Sequence, residues 1–293
     1  VDLATVRQHP EWIATMLVHQ RIRTTPVPGG DTANAQRLTL DDGTDLFAKT
    51  TEGAPPGLCA AEAEGLRWLA EPGVVPVPAV LAVTDELLIL EWIPPGPATP
   101  AAAEQLGRGL AALHRAGAGS YGAPRPGWIG SLPLDNTTET DWPTFYARRR
   151  LAPFLRLAAD RGALDSAGAR VLDAVLGRVN ELAGPAEPPA RLHGDLWGGN
   201  LLWSAHGTTG TAWLVDPAAY GGHRETDLAM LRLFGAPHLD RILDAYAEAA
   251  PLADGWADRV PLYQLYPLLV HAALFGGSYG QRAANLARRL LAG

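Results

Sequence analysis

Two short runs of β-prone and apolar positions, Arg37-Leu38-Thr39-Leu40 and Leu46-Phe47-Ala48-Lys49, flank Asp41-Asp42-Gly43, and the arrangement predicts a hairpin. Ahead of it, Pro28 to Asn34 reads as a flexible link of small side chains. After it, Leu58, Glu62, Leu66 and Leu69 recur at helical spacing until Glu71-Pro72-Gly73 stops the helix. Two more strands are predicted over Ala79 to Thr84 and Leu87 to Trp92, around an Asp85-Glu86 turn. Pro94-Pro95-Gly96-Pro97 cannot continue a central strand, because proline has no N–H for the ladder.

Beyond that segment the period changes from two to 3.6. Leu106, Leu110 and Leu113 form one helical stripe, and Leu164, Ala167, Val171, Val175, Val179 and Leu182 form another. Further helices are predicted over 226–234, 239–249 and 281–291. Only Leu201-Leu202-Trp203 and Ala212-Trp213-Leu214-Val215 read as strands in this half. The pattern predicts an α+β, bilobal fold: a sheet-containing N-lobe over 1–93 and a mainly helical C-lobe over 94–293.

Composition narrows the class. Of 293 residues, 19% are charged and 47% hydrophobic, which excludes a disordered solvating chain and a membrane bundle. A net charge of -7, with no basic run longer than Arg148-Arg149-Arg150, argues against a nucleic-acid partner. The single cysteine, Cys59, rules out an internal disulfide or a cysteine cluster for metal, and fits a reducing, cytoplasmic compartment. Residues 1–20 lack a long apolar core, so no signal peptide is expected, and no apolar stretch is long enough for a membrane helix.

The densest polar cluster in an apolar setting runs from Leu192 to Leu202 and contains His193, Gly194, Asp195, Trp197 and Asn200; Val215-Asp216-Pro217 follows the second strand island. An Asp, an Asn five positions on, and an Asp just after a short strand suit magnesium-dependent phosphoryl transfer. One carboxylate receives the acceptor proton, while an amide oxygen and a second carboxylate hold a hard cation. In this reading Asp195 is the base, with its carboxyl near its ordinary pKa of about 3.9, and Asn200 and Asp216 are the Mg2+ ligands. Each residue taken singly is an ordinary turn residue; the joint pattern carries the reading.

Lys49 ends the second hairpin strand, where its ammonium can reach nucleotide phosphates, and either Glu62 or Glu64 on the next helix can hold it. Gly29-Gly30-Asp31-Thr32 lacks the fixed glycine offsets of a P-loop or a dinucleotide site. It is either a plain turn or a short cover for a phosphate through backbone N–H groups.

These residues resemble the protein-kinase-like fold of small-molecule kinases and, within it, the fructosamine kinase (ketosamine-3-kinase) family. The closest likenesses are Leu192 to Leu201, Val215 to Met230, Pro261 to Tyr266 and Phe275 to Tyr279; weaker ones include Gly29-Gly30-Asp31, Phe47 to Thr50, Glu62 to Leu66 and Leu90 to Ile93. The resemblance implies ATP and Mg2+ as cofactors and Asp195 as catalytic aspartate. It places Lys49 on the phosphates with Glu62 rather than Glu64 as partner, and has His193 and Asp227 brace the loop. Glu91, Trp92 and Ile93 would connect the lobes along the adenine edge, with Gly30, Asp31 and Thr32 near the phosphates.

The implied acceptor is a small ketosamine or glycated amine phosphorylated at its sugar 3-hydroxyl. Departures from the family pattern at Pro126-Gly127-Trp128, Pro133-Leu134-Asp135, Pro267 and Val270 fall where the acceptor pocket is expected. Residues 29–35 lack the loop cysteine of some relatives, so no redox switch is expected there. The alternatives are an aminoglycoside or other antibiotic phosphotransferase, a choline-like kinase, and a nucleotide-binding pseudokinase. Trp197 can offer a flat apolar face to the acceptor or pack the catalytic loop, and packing is the favoured expectation.

Overall fold

A computed structural model describes residues 21–27, 34–51, 53, 55–205, 207 and 210–292. The N-terminal part holds an antiparallel sheet of β1 (Arg23–Pro26), β2 (Asn34–Thr39), β3 (Asp45–Thr50), β4 (Val80–Val83) and β5 (Leu87–Glu91), in the order β1-β2-β3-β5-β4. The β2–β3 hairpin turns at Asp42-Gly43, where Gly43 has φ 83° and Asp42 Oδ1 accepts the Thr44 N–H at 2.9 Å. Glycine adopts that backbone without steric cost.

Period two then sorts the strand. Leu46 and Ala48 are buried, Leu46 against Leu40, Leu81 and Ile89, while Phe47 and Lys49 turn to the face carrying α1 (Leu58–Ala70). Leu88, Ile89 and Leu90 of β5 are all buried, as a strand covered on both faces requires.

No strand beyond residue 94 joins this sheet among the described residues. From there on the chain is mainly helical: α2 (Pro100–Ala116), α3 (Trp142–Phe145), α4 (Ala152–Asp160), α5 (Ser166–Leu176), α6 (Val179–Leu182), α7 (Glu225–Phe234), α8 (Leu239–Ala249), α9 (Trp256–Phe275) and α10 (Tyr279–Ala292). Thr99 caps α2 by accepting the Ala102 N–H at 3.1 Å, with Pro100 in the first turn. A π-helical turn, Tyr146–Leu151, links α3 to α4.

Three expectations change. The stripe from Leu164 to Leu182 is two helices rather than one: Leu164 precedes the capping residue Asp165, and Gly177-Arg178 separates α5 from α6. The two strand islands are β9 (Leu201–Ser204) and β10 (Thr211–Leu214), but they are not alone. β6 (Gly127–Ile129) pairs with β7 (Leu132–Leu134), and β8 (Ala190–Leu192) with β11 (Tyr220–Gly222). Three-residue strands are too short to show a period. The third difference is α9, which is apolar on all sides and contains Pro261 and Pro267; it runs through the largest core cluster, which is why it has no polar stripe.

The two parts share interior. Leu69 and Val75 pack in one cluster with Leu106, Leu110 and Ile242, and the Leu214 N–H donates to Pro76 O at 3.0 Å. No helix among the described residues is long and apolar enough to cross a membrane.

Candidate active site

The loop between β8 and β9 is shaped from behind. Asp227, in the first turn of α7, accepts the N–H groups of His193 at 2.8 Å and Gly194 at 3.0 Å. Gly194 sits at φ 80°, and a Cβ there would lie 2.1 Å from Ala218 O, so only glycine fits. His114 of α2 stands 3.3 Å from Asp227 on one side and 2.8 Å from Tyr246 Oη on the other. Sequence reading missed His114, which carries no local signal; its place in the site comes from packing α2 against α8.

His193 is wholly buried and turned away from the cleft. Its Nε2 lies 2.9 Å from Val215 O and its Nδ1 3.3 Å from the Asp195 N–H, which fixes the neutral tautomer with the proton on Nε2. Burial lowers its pKa in the same sense, against the opposing charge of Asp227. It therefore touches the loop's backbone and not the cleft.

Asp195 faces the cleft, its Oδ2 accepting the Asn200 side-chain N–H at 3.0 Å. Asn200 also donates to Asp195 O at 2.8 Å, which leaves Oδ1 as its donor atom for a cation. Burial pushes the Asp195 carboxyl up to about 7, helped by the charges of Asp216 and Asp227 and opposed by the Asn200 bond. The ordinary carboxylate value expected from sequence is therefore corrected: desolvation in a folded loop has no sequence signature.

Lys49 Nζ donates to Glu62 Oε2 and Asp216 Oδ1, both at 2.7 Å. Burial alone would lower the lysine pKa, but the two carboxylates outweigh it and the net shift is upward. Glu62 is pushed up to about 7 by burial, since one ammonium is shared between two acids. Asp216 stays below the usual carboxylate range: the penalty of burial is outweighed by Lys49. Asp216 also has φ 51°, rare for a residue with a side chain and characteristic of strained functional positions. Glu64 turns away from Lys49 to Arg125.

Lys49, Glu62, Asp195, Asn200 and Asp216 open on one cleft of about 1310 Å³. Glu91, Trp92 and Ile93 line it; Glu91 is tied to Ala79, and the Arg37 guanidinium lies 5.0 Å over the Trp92 ring, a contact the sequence did not disclose. Gly30, Asp31 and Thr32 lie outside the described residues. Of the departures, Pro126, Trp128, Pro267 and Val270 line the cleft, whereas Leu134 is 1% exposed in the core. Trp197 is 38% exposed and forms part of the cleft wall, its ring edge-on to Phe234 at 6.1 Å. The packing role expected of it is thus only partly met.

Asn200 Oδ1 and the Asp216 carboxylate are hard oxygen donors on one wall. That set fits Mg2+, which takes one or two protein oxygens and fills its shell with phosphate and water.

A five-stranded sheet with one helix, a lysine bridged to that helix, and an Asp…Asn…Asp set on the facing lobe define a phosphotransferase of the protein-kinase-like fold. The chain belongs to the fructosamine kinase family, whose sequence profile matches residues 8–293. It is 40% identical to a probable ketoamine kinase of Thermus thermophilus over 255 residues, 87% of this chain and 88% of that one. A probable ketoamine kinase of Enterococcus faecium is 36% identical, with 89% and 92% covered. The crystal structure of a candidate fructosamine-3-kinase from Thermobifida fusca superposes with a TM-score of 0.88 at 48% identity, covering 98% of this chain and 99% of that one. The protein is accordingly a kinase acting on a ketosamine-type sugar, and use of ATP and Mg2+ is typical of its family.

Proposed function

We propose that this enzyme transfers the γ-phosphoryl group of ATP to the sugar 3-hydroxyl of a small ketosamine such as a ribulosamine or fructosamine. The observation that carries the reading is the Lys49–Glu62–Asp216 cluster opening on the same cleft as Asp195 and Asn200. Residues 1–93 form the nucleotide lobe and 94–293 the acceptor lobe. Glu91 to Ile93 border the adenine. The lone Cys59, buried and 3.3 Å from Thr51 Oγ1, supports a reducing cytoplasmic setting.

Asp195 orients the acceptor hydroxyl and takes its proton. A carboxyl near 7 accepts a proton more readily than one near 3.9, and general-base catalysis works best when the base's pKa lies near the working pH. Lys49 binds phosphate oxygens, held by Glu62. Asn200 and Asp216 hold Mg2+, which neutralises phosphate charge when bound. His193 and Asp227 keep the loop rigid.

The test is a panel of ribulosamines, fructosamines and aminoglycosides with ATP, the phosphorylated position assigned by NMR. Ketosamine 3-phosphates are expected. Aminoglycoside turnover without ketosamine turnover would sink the proposal. The Asp195→Asn variant should keep its melting temperature and lose turnover by a factor of about 10²–10⁴.

A further inference from the structure

Beyond Asp195 the cleft wall changes character. From α9 come Tyr266, Pro267, Val270, His271, Leu274 and Phe275, with no Asp, Glu, Lys or Arg among them. Phe275 is 53% exposed, and it and Trp197 are two of the five large apolar side chains left open to solvent among the described residues. The rings form one run: Trp197 meets Phe234 at 6.1 Å, Phe234 meets His271 at 4.6 Å, and His271 meets Phe275 at 5.6 Å. Trp197, His271 and Phe275 of this run line the same cleft as the proposed base, from the catalytic loop out to the end of α9, and Phe234 joins them from outside the lining. The cleft's cationic and acidic side chains lie elsewhere, on the sheet, the catalytic segments, α1 and the Arg125 loop.

On the reading of the site as a ketosamine kinase, we infer that this surface is a subsite for the substituent on the acceptor's amine, and that it selects an uncharged apolar one. A ketosamine nitrogen is a secondary amine, protonated near neutral pH. Aromatic faces attract such a cation without a carboxylate, and the group beyond it then lies on Phe275, Leu274 and Pro267. A carboxylate-bearing substituent finds no Lys or Arg among the cleft-lining residues of α9 and would lose its hydration uncompensated; a second ammonium finds no carboxylate among them. Pro267 and Val270 likewise bring no polar side chain to the cleft wall that could serve a charged substituent.

The experiment compares kcat/KM on four acceptors sharing one ketose: unsubstituted, N-benzyl, N-carboxymethyl and N-(2-aminoethyl). The wild type should prefer N-benzyl over both charged substrates by about tenfold or more. Phe275→Ala, at the exposed end of α9, should shrink that preference toward unity. Phe275→Asp should turn it toward the aminoethyl substrate, a gain that a merely structural residue would not give. Equal wild-type rates on benzyl and charged substrates, or a preference untouched in both variants, overturns the inference and leaves the kinase reading standing. Failure of the wild type on all four ketosamines overturns that reading, and this inference with it.

Discussion

At Lys49 three charges meet within hydrogen-bond reach, and their unequal sharing predicts unequal effects of mutation. Lys49→Met removes the cation that bridges Glu62 and Asp216 and should abolish measurable turnover. Glu62→Ala leaves the ammonium on Asp216 at 2.7 Å but unanchored from α1, so a smaller loss, about 10–100-fold in kcat/KM for ATP, is expected. Glu64→Ala should stay within about threefold, because Glu64 bonds Arg125 at the surface. Steady-state kinetics of the three variants check the order, and a damaging Glu64→Ala beside a silent Glu62→Ala would reverse the register of α1.

His223 is 1% exposed, stacked on Tyr263 at 5.3 Å, and burial lowers its pKa to about 4, with Glu187 opposing and Arg259 and Arg224 assisting. Below pH about 6.5 the unfolded chain binds a proton that the folded one refuses, so stability falls as the pH drops toward 4. For this group the loss approaches about 3 kcal/mol. Urea unfolding from pH 7 to 4 should show His223→Phe gaining on the wild type as acid is added; a constant gap would exclude His223 as the source.

At the scale of elements, α1 is positioned by what it touches across the cleft. A Cβ on Gly65 would come 3.1 Å from Pro217 Cγ and 3.4 Å from Ala219 Cβ, next to Asp216 in the chain. Gly65→Ala requires a shift of a few tenths of an ångström, whereas the branched side chain of Gly65→Val must push α1 off the 217–219 segment, at about 1–3 kcal/mol of overpacking. Since Glu62 rides on α1, Gly65→Val should raise KM for ATP severalfold more than Gly65→Ala does. Equal KM values in both variants would show that the helix position does not govern the Lys49 contact.

Over the whole molecule, the two lobes are joined by more than a linker. Leu69 and Val75 belong to the same apolar cluster as Leu110 and Ile242, Leu214 N–H donates to Pro76 O at 3.0 Å, and Arg191 of the C-lobe spreads over the Trp68 ring at 4.5 Å. A shared apolar core couples unfolding more tightly than a polar interdomain contact would. Calorimetry should therefore give one transition with matching van't Hoff and calorimetric enthalpies, coincident with the fluorescence melt. Two resolved transitions would mean that the cluster does not couple the lobes.

Local chemistry made the hairpin, α1 and the His193–Asp216 segment legible in the chain, because turn residues, helical spacing and fixed offsets between polar groups are properties of neighbours in sequence. The same locality made Pro94 to Pro97 visible as the end of the sheet. It hid β6, β7, β8 and β11, which are three residues each, and α9, whose identity rests on being surrounded on every side. Residue types left Glu62 and Glu64 both open and the family resemblance favoured Glu62; tertiary structure set Glu62 on Lys49, brought His114 to Asp227 from 113 positions away, and lined α9 along the cleft. It also set the carboxyl of Asp195 near 7, since a pKa answers to the water removed and the charges brought near, and both are decided by residues far apart in the chain.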